Sequence, residues 1–382
     1  MQALVPPAGD RNPNGHTEET VLRALKGLDG FRRLSFRYYL LEASGALVKT
    51  LDTVTAGTVA QNWLADIKRT ATFTIRETGG IDFLSDRIQP AVRLYLPPYG
   101  HDDFVEWPQG VFLLESSRRT RTRAGVLIRE VQGYDQLQVY SADLLDTRYS
   151  LAAGTVVTTA VKTLLDTAII PPALNLTPHA GTLPAAKEWE PGTSKLRVIN
   201  DLLGMINYES LSFDEGGRAV VTPYRSPGER PEEFTYAADH EGLTLPEAEQ
   251  TLDLFSVPNK WVLVVSEPDQ APLIGTYTNS DPASLTSTVA RQRVITDYRT
   301  EQEATDATVL TAKAARLAFA ASQVYESITF STAPMPIHSG NDMYRINLPS
   351  LAVNSSYVEQ SWKMTMKAGI PMEHVARRVV PV

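Results

Sequence analysis

The 382-residue chain contains no cysteine. That excludes disulfides, cysteine-ligated zinc, iron–sulfur clusters and thiol nucleophiles together. Histidine is sparse: His16, His101, His179, His240, His338 and His374 stand far apart. None pairs at the i, i+3 or i+4 spacing that sets two ligands on one helical face, so each reads as a surface or turn histidine. No HExxH, GxSxG, GxxxxGKS/T or GxGxxG motif occurs. No stretch approaches the ~18–20 apolar residues of a membrane helix, and the N-terminus lacks the basic start and apolar run of a signal peptide. Synthesis in a cytoplasm without general secretory export is therefore expected. Basic charge is in deficit, with 36 Lys and Arg against 44 Asp and Glu, a net charge of −8. A surface gripping nucleic acid all round is thereby excluded. The 23 Gly and 25 Pro are too few for collagen or low complexity, and no 20–50-residue period marks a solenoid or propeller.

What the chain does have is the composition of a globular protein, 43% hydrophobic and 21% charged, at a length that suggests two to four structural units. Residues 1–20 are polar, proline-containing and aperiodic. They read as an extended arm, either a free tail or one docked on a neighbour. Period-2 alternation then dominates residues 21–150. Leu34, Phe36, Tyr38 and Leu40 share one face, and residues 48–54 form a return strand after the turn 42–46. Ala71, Phe73 and Ile75 alternate with Thr72, Thr74 and Arg76, and further strands are predicted over 91–96, 104–115 and 126–133. Strands at this density indicate a first sandwich or barrel-like domain.

Residues 151–225 read as a small α/β module. Val157, Val161, Leu164 and Ala168 recur at helical spacing, and a proline-rich loop follows. A second helix carries Leu196, Ile199, Leu202, Leu203 and Ile206, with Thr193 or Ser194 as its cap, and runs into a hairpin turning at 214–217. Residues 226–382 return to β, with strands over 234–236, 260–266, 274–277, 291–299, 327–331, 343–348, 357–367 and 372–380. One helix at about 306–325 interrupts them. The expected class is mainly β (α+β): two β-barrel or sandwich-like domains around a small α/β module.

Few residues invite a functional reading. Arg118-Arg119-Thr120-Arg121-Thr122-Arg123 puts four arginines into six residues of an acidic protein. If extended, it projects Arg119, Arg121 and Arg123 on one face, suited to phosphate or to an acidic subunit surface. The plainer reading is a charged hairpin tip that discourages edge pairing. On the 306–325 helix, Leu310, Ala314, Leu317, Ala321 and Val324 make a two-turn heptad seam, either a subunit contact through Leu310, Leu317 and Val324 or a face packed on its own sheet. Asp102-Asp103 and Glu232-Glu233 are acidic pairs by adjacency alone. Trp63, Trp107, Trp189, Trp261 and Trp362 are scattered among apolar residues, which favours core or interface positions. No catalytic, cofactor or metal site is evident.

Trp107-Pro108-Gln109-Gly110-Val111-Phe112-Leu113-Leu114-Glu115-Ser116 resembles a strand of minor tail proteins of long-tailed bacteriophages, as does Gly133-Tyr134-Asp135-Gln136-Leu137. Glu188-Trp189-Glu190-Pro191-Gly192-Thr193-Ser194-Lys195-Leu196, with Asn200-Asp201-Leu202-Leu203, is similar to the same family, especially from actinobacterial phages. Tyr277-Thr278-Asn279 and Ala376-Arg377-Arg378-Val379 extend the resemblance across the chain. It implies a baseplate or tail-tip hub: a homotrimer of two-barrel subunits at the distal end of the virion tail. Such a hub closes the tube, anchors tip or receptor-binding proteins and opens for DNA ejection. The implied partners are a distal tail or tail tube protein, the tape measure protein, tip proteins, and genomic DNA only in transit; no cofactor and no enzyme activity are implied. Longer relatives continue into a peptidoglycan-cutting domain, so with the chain stopping at Val382 that activity is expected in another protein. Acidic walls would limit sticking of passing DNA. The alternative is a β-rich polysaccharide-degrading or carbohydrate-binding tail protein, which calls for convergent carboxylates or exposed aromatic clusters.

Overall fold

The computed structural model describes residues 1–7, 11–97, 100, 102–183, 185–206, 208–225, 227, 230–237, 243–252, 255–265, 272–282, 284–300, 307–322 and 326–378. Its architecture is mainly β, as expected, in several sheets without a closed barrel among the described residues. Leu47–Thr50 is exposed throughout and Arg87–Tyr95 is buried on both faces, but other strands show the alternation read from the sequence as an alternation of burial. In Arg69–Arg76, for example, Ala71, Phe73 and Ile75 are buried while Thr72, Thr74 and Arg76 are not.

The largest sheet joins both ends of the chain. From one edge its strands run Thr244–Leu252, Glu326–Thr332, Met372–Arg378, Val353–Thr365, Val54–Asn62, Arg69–Arg76, Leu127–Tyr134, Phe112–Arg121, Arg87–Tyr95, Arg33–Leu41 and Leu47–Thr50. Phe104–Pro108 adds to Arg87–Tyr95, and Met343–Leu348 bridges Val353–Thr365 to the parallel strand Phe234–Ala237. The seam is the antiparallel pairing of Val353–Thr365 with Val54–Asn62, from Ser361 opposite Asn62 to Thr365 opposite Thr58. One apolar core serves both halves, with Phe73, Trp107 and Phe112 from one and Phe330, Tyr357 and Trp362 from the other.

Local detail departs from the sequence reading where polar residues or glycine intervene. The single strand expected at 104–115 is two, separated at Gly110, whose φ of 123° lies outside the range of ordinary residues. Thr244–Leu252 was not foreseen, because Pro246, Glu247 and Glu249 give it the polarity of a loop; it is tolerated at a sheet edge. A helix, Glu18–Lys26, begins inside the expected arm. Thr17 caps it by accepting from Thr20 N, Glu18 and Glu19 occupy its first turn, and Gly27 ends it in the left-handed region. The residues before it dock on their own chain: Gln2 N donates to Ile337 O at 2.7 Å, and Trp107 Nε1 to Ala3 O at 2.9 Å.

The middle module has its own core. Val157–Leu165 and Lys195–Met205 pack Val161, Leu164, Ile199, Leu202 and Leu203 together with Leu137 and Tyr140 of the helix Leu137–Ala142. Of the two candidate caps it is Ser194 that accepts from Arg197 N, at 3.2 Å. A third unit carries the strands Leu273–Thr278, Lys260–Val265 and Thr296–Thr300, with the helix Ala307–Ser322 on one face. A Cβ on Gly275 would lie 2.4 Å from the Leu310 backbone carbon, so glycine is what lets helix and strand approach so closely.

Candidate functional site

The densest gathering of titratable groups lies inside the large β unit. His338 and His374 were expected at the surface or in turns; instead both are fully buried, with ring centres 4.8 Å apart. His374 sits on Met372–Arg378, whose alternation turns it inward, and His338 on the segment leading to Met343–Leu348. Glu359, on Val353–Thr365, accepts from His374 Nδ1 at 2.9 Å and from Tyr344 OH at 3.0 Å, both through Oε2. His338 Nδ1 donates to Asp342 Oδ2 at 2.8 Å and lies 3.5 Å from Glu359 Oε2. The outer nitrogens are also engaged. Tyr236 OH is 2.5 Å from His338 Nε2, and Thr332 Oγ1 is 2.9 Å from His374 Nε2. Which partner donates in these two contacts depends on the tautomer of each ring.

The electrostatics follow from burial. Desolvation lowers the pKa of His374 against the pull of Glu359 and pushes the Tyr236 and Tyr344 phenols well up. Asp342 is the opposite case. Burial alone would raise it, but the His338 hydrogen bond and the Met1 ammonium outweigh that and hold it well below the usual carboxylate range. The Met1 ammonium lies 2.7 Å from Asp342 Oδ1 and 2.9 Å from Glu233 Oε1. This cluster ties the N-terminus to five strands and is sealed from solvent, which removes it from consideration as a place where substrate is turned over.

The residues singled out from sequence fall elsewhere. The arginine run forms the exposed tip of the hairpin Phe112–Arg121 and Leu127–Tyr134. The strand ends at Arg121 and Arg123 stands in the turn before Gly125, so the three arginines do not share one strand face. Arg119 Nε donates to Glu77 Oε2 at 2.7 Å, and Arg118 is 3.7 Å from Glu130. On the helix Ala307–Ser322, Leu310 and Ala314 are buried against Trp261, Leu263 and Val265, with Leu317 packed beside them. Leu310, Ala314 and Leu317 therefore pack on their own sheet, and Leu310 has no surface left for a neighbour; the Ala321 side chain and Val324 lie outside the described residues. The acidic pairs do not converge. Asp103 bonds His16 and Asn14, Glu232 bonds Arg345 and Ser356, and Glu233 bonds Met1. Four of the five tryptophans are buried. The fifth, Trp63, lines a cleft of about 390 Å³ with Arg69, Glu209, Arg230 and Asn341, between the large sheet and the middle module. Lys68 Nζ lies over its ring at 5.1 Å and Gly340 is packed against it, so no bare aromatic platform is presented. No described helix is long and apolar enough to cross a membrane.

The fold is that of phage tail proteins. The tail protein from Neisseria meningitidis MC58 superposes with a TM-score of 0.63 at 11% identity, covering 90% of this chain and 97% of that one. The 43 kDa tail protein of prophage MuSo2 from Shewanella oneidensis gives 0.61 at 11% identity, covering 89% and 98%. Prophage tail protein gp18 from Listeria monocytogenes EGD-e gives 0.54 at 12% identity, covering 89% and 94%. No protein-family model and no curated protein sequence matches the chain.

Proposed function

We propose that this chain is a structural, non-enzymatic protein of a bacteriophage tail, placed at the tail tip or baseplate hub. The observation that carries the proposal is the tail-protein fold matched over nearly the whole length of both chains. In this reading three copies form a ring that closes the distal tube, seats on a distal tail or tail tube protein below the tape measure protein, and anchors tip or receptor-binding proteins. Opening is a two-state rearrangement that frees the channel for DNA, driven by a trigger that binds the open ring better. The net charge of −8 per chain supports a wall from which DNA slides freely.

The exposed arginine tip supplies the subunit contact. Arg118 and Arg119 stay exposed even beside Glu130 and Glu77, and exposed ion pairs are weak, which leaves these guanidinium groups available to an acidic surface on the next copy. Electron microscopy and light scattering of the purified chain are expected to show a threefold ring. Replacing Arg119, Arg121 and Arg123 with glutamate is expected to dissociate it while each chain stays folded, as read by circular dichroism. A monomer at every concentration would overturn the trimer, and an intact ring in the triple variant would overturn the placement of the contact.

A further inference from the structure

The polar core around Glu359 has a charge imbalance. Glu359 and Asp342 are both about 1% exposed, and a carboxylate so placed is costly unless a cation or several donors meet it. Asp342 has the Met1 ammonium. Among the described residues Glu359 has only histidines as ion-pair partners, and its Oε1, fully buried, has no hydrogen-bond partner at all. Beside it stand two imidazoles whose Nδ1 atoms lie 2.9 and 3.5 Å from Glu359 Oε2. One donor atom each from His338, Glu359 and His374 falls within 4.8 Å of the others.

We propose that His338, Glu359 and His374 form a structural site for a divalent transition ion of the zinc class. The donors are two imidazole nitrogens and a carboxylate, which suit zinc and its neighbours; magnesium and calcium prefer all-oxygen shells. Tetrahedral zinc with bonds of about 2.0–2.2 Å sets its donors about 3.3–3.5 Å apart. The His338–Glu359 spacing meets this, and the His374–Glu359 spacing does so after a shift of a few tenths of an ångström. Asp342 Oδ2, 2.8 Å from His338 Nδ1, stands at the edge of the set.

The outer shell is already in place. Each imidazole has a hydroxyl, Tyr236 OH or Thr332 Oγ1, at its other nitrogen. Metal binding at Nδ1 moves the ring proton to Nε2, and the hydroxyl, both donor and acceptor, turns to accept it. The ion joins the segment at 338 to the strands Val353–Thr365 and Met372–Arg378. Since the cluster is sealed, the ion enters as the chain folds, and its binding energy is folding energy.

The test is to refold the full chain from urea with zinc or with chelator, remove unbound metal, and measure metal content and the urea midpoint. About one zinc per chain and a higher midpoint with zinc are expected. X-ray absorption should show nitrogen and oxygen donors at about 2.0–2.2 Å and no sulfur. Glu359→Gln and His374→Gln should each abolish stoichiometric binding. Metal-free protein with the same midpoint under both conditions would overturn the site, as would a folded Glu359→Gln variant that keeps a full zinc equivalent. The measurements on the unaltered chain decide the matter even where a variant does not fold.

Discussion

Replacing Arg69 with methionine breaks one of the joints between the large sheet and the middle module, which Lys68–Ser210 and Gln89–Glu215 also bridge. The Arg69 guanidinium, on Arg69–Arg76, donates to Glu215 Oε1 at 2.7 Å and to Gln61 Oε1 at 2.9 and 3.3 Å. Glu215 comes from the turn of the module's hairpin and also accepts from Ser339 Oγ at 2.7 Å. Side-chain exposures of 3% for Arg69 and 10% for Glu215 make this a buried pair that joins segments 146 residues apart. Methionine keeps most of the arginine stem and removes its charge, so Glu215 is left as a buried carboxylate with one hydroxyl. Breaking a buried pair from one side costs about 3–5 kcal/mol, and the surviving Ser339 bond places this case near about 3 kcal/mol. Glu215→Gln in the same chain removes the stranded charge, so the double variant should regain about 1–2 kcal/mol. Urea unfolding followed by tryptophan fluorescence reads both. With a slope of about 3 kcal/mol per molar, the single variant moves the midpoint by about 1 M. A single variant within about 0.5 kcal/mol of the parent, or a double variant no more stable than the single, would refute the reasoning.

Gly275→Ala brings a Cβ within 2.4 Å of the Leu310 backbone carbon and 2.5 Å of Thr311 N, so the helix Ala307–Ser322 must shift. The cost is about 1–3 kcal/mol, confined to the three-stranded unit. It should appear as faster hydrogen exchange there with the large sheet unchanged, and unaltered exchange in the unit would count against that packing. Asp135 supplies a pH dependence: burial pushes its pKa up to about 6 despite bonds from the Leu137 and Arg69 backbone N–H groups. Since the folded value lies above the ordinary one, the folded chain binds the proton more tightly between about pH 4 and 6, and this contribution to stability declines as pH rises through that window. Measured against Asp135→Asn, the parent should lose stability from pH 4 to 6; an opposite slope would refute the assignment.

Much of the secondary structure is legible in the residue order, and little of the tertiary pairing is. The alternation at 71–76 and the capped helix from Ser194 emerge where expected, because each depends on neighbours a few positions away. Thr244–Leu252 escapes the same reading, since at an edge its backbone pairs on one side only and its side chains need not be apolar. The arginine run shows the same division. Its charge and turn are local and visible, but Glu77, which accepts from Arg119, is 42 residues away.

By itself the sequence determined the class of the protein: mainly β, with an α/β middle, no thiol chemistry and no nucleotide-binding or hydrolase motif. Hydrophobic period and turn chemistry are properties of short segments, and they survive reading one residue at a time. The tertiary structure alone decided that strands near residues 60 and 360 share a sheet, and that Met1 meets Asp342. It alone showed that His338 and His374, 36 positions apart, flank one buried carboxylate. Backbone hydrogen bonds form between any two strands and carry no residue code, so register comes from burying all the apolar faces at once. A histidine likewise declares its role only through what surrounds it, and here strands from distant parts of the chain supply those surroundings.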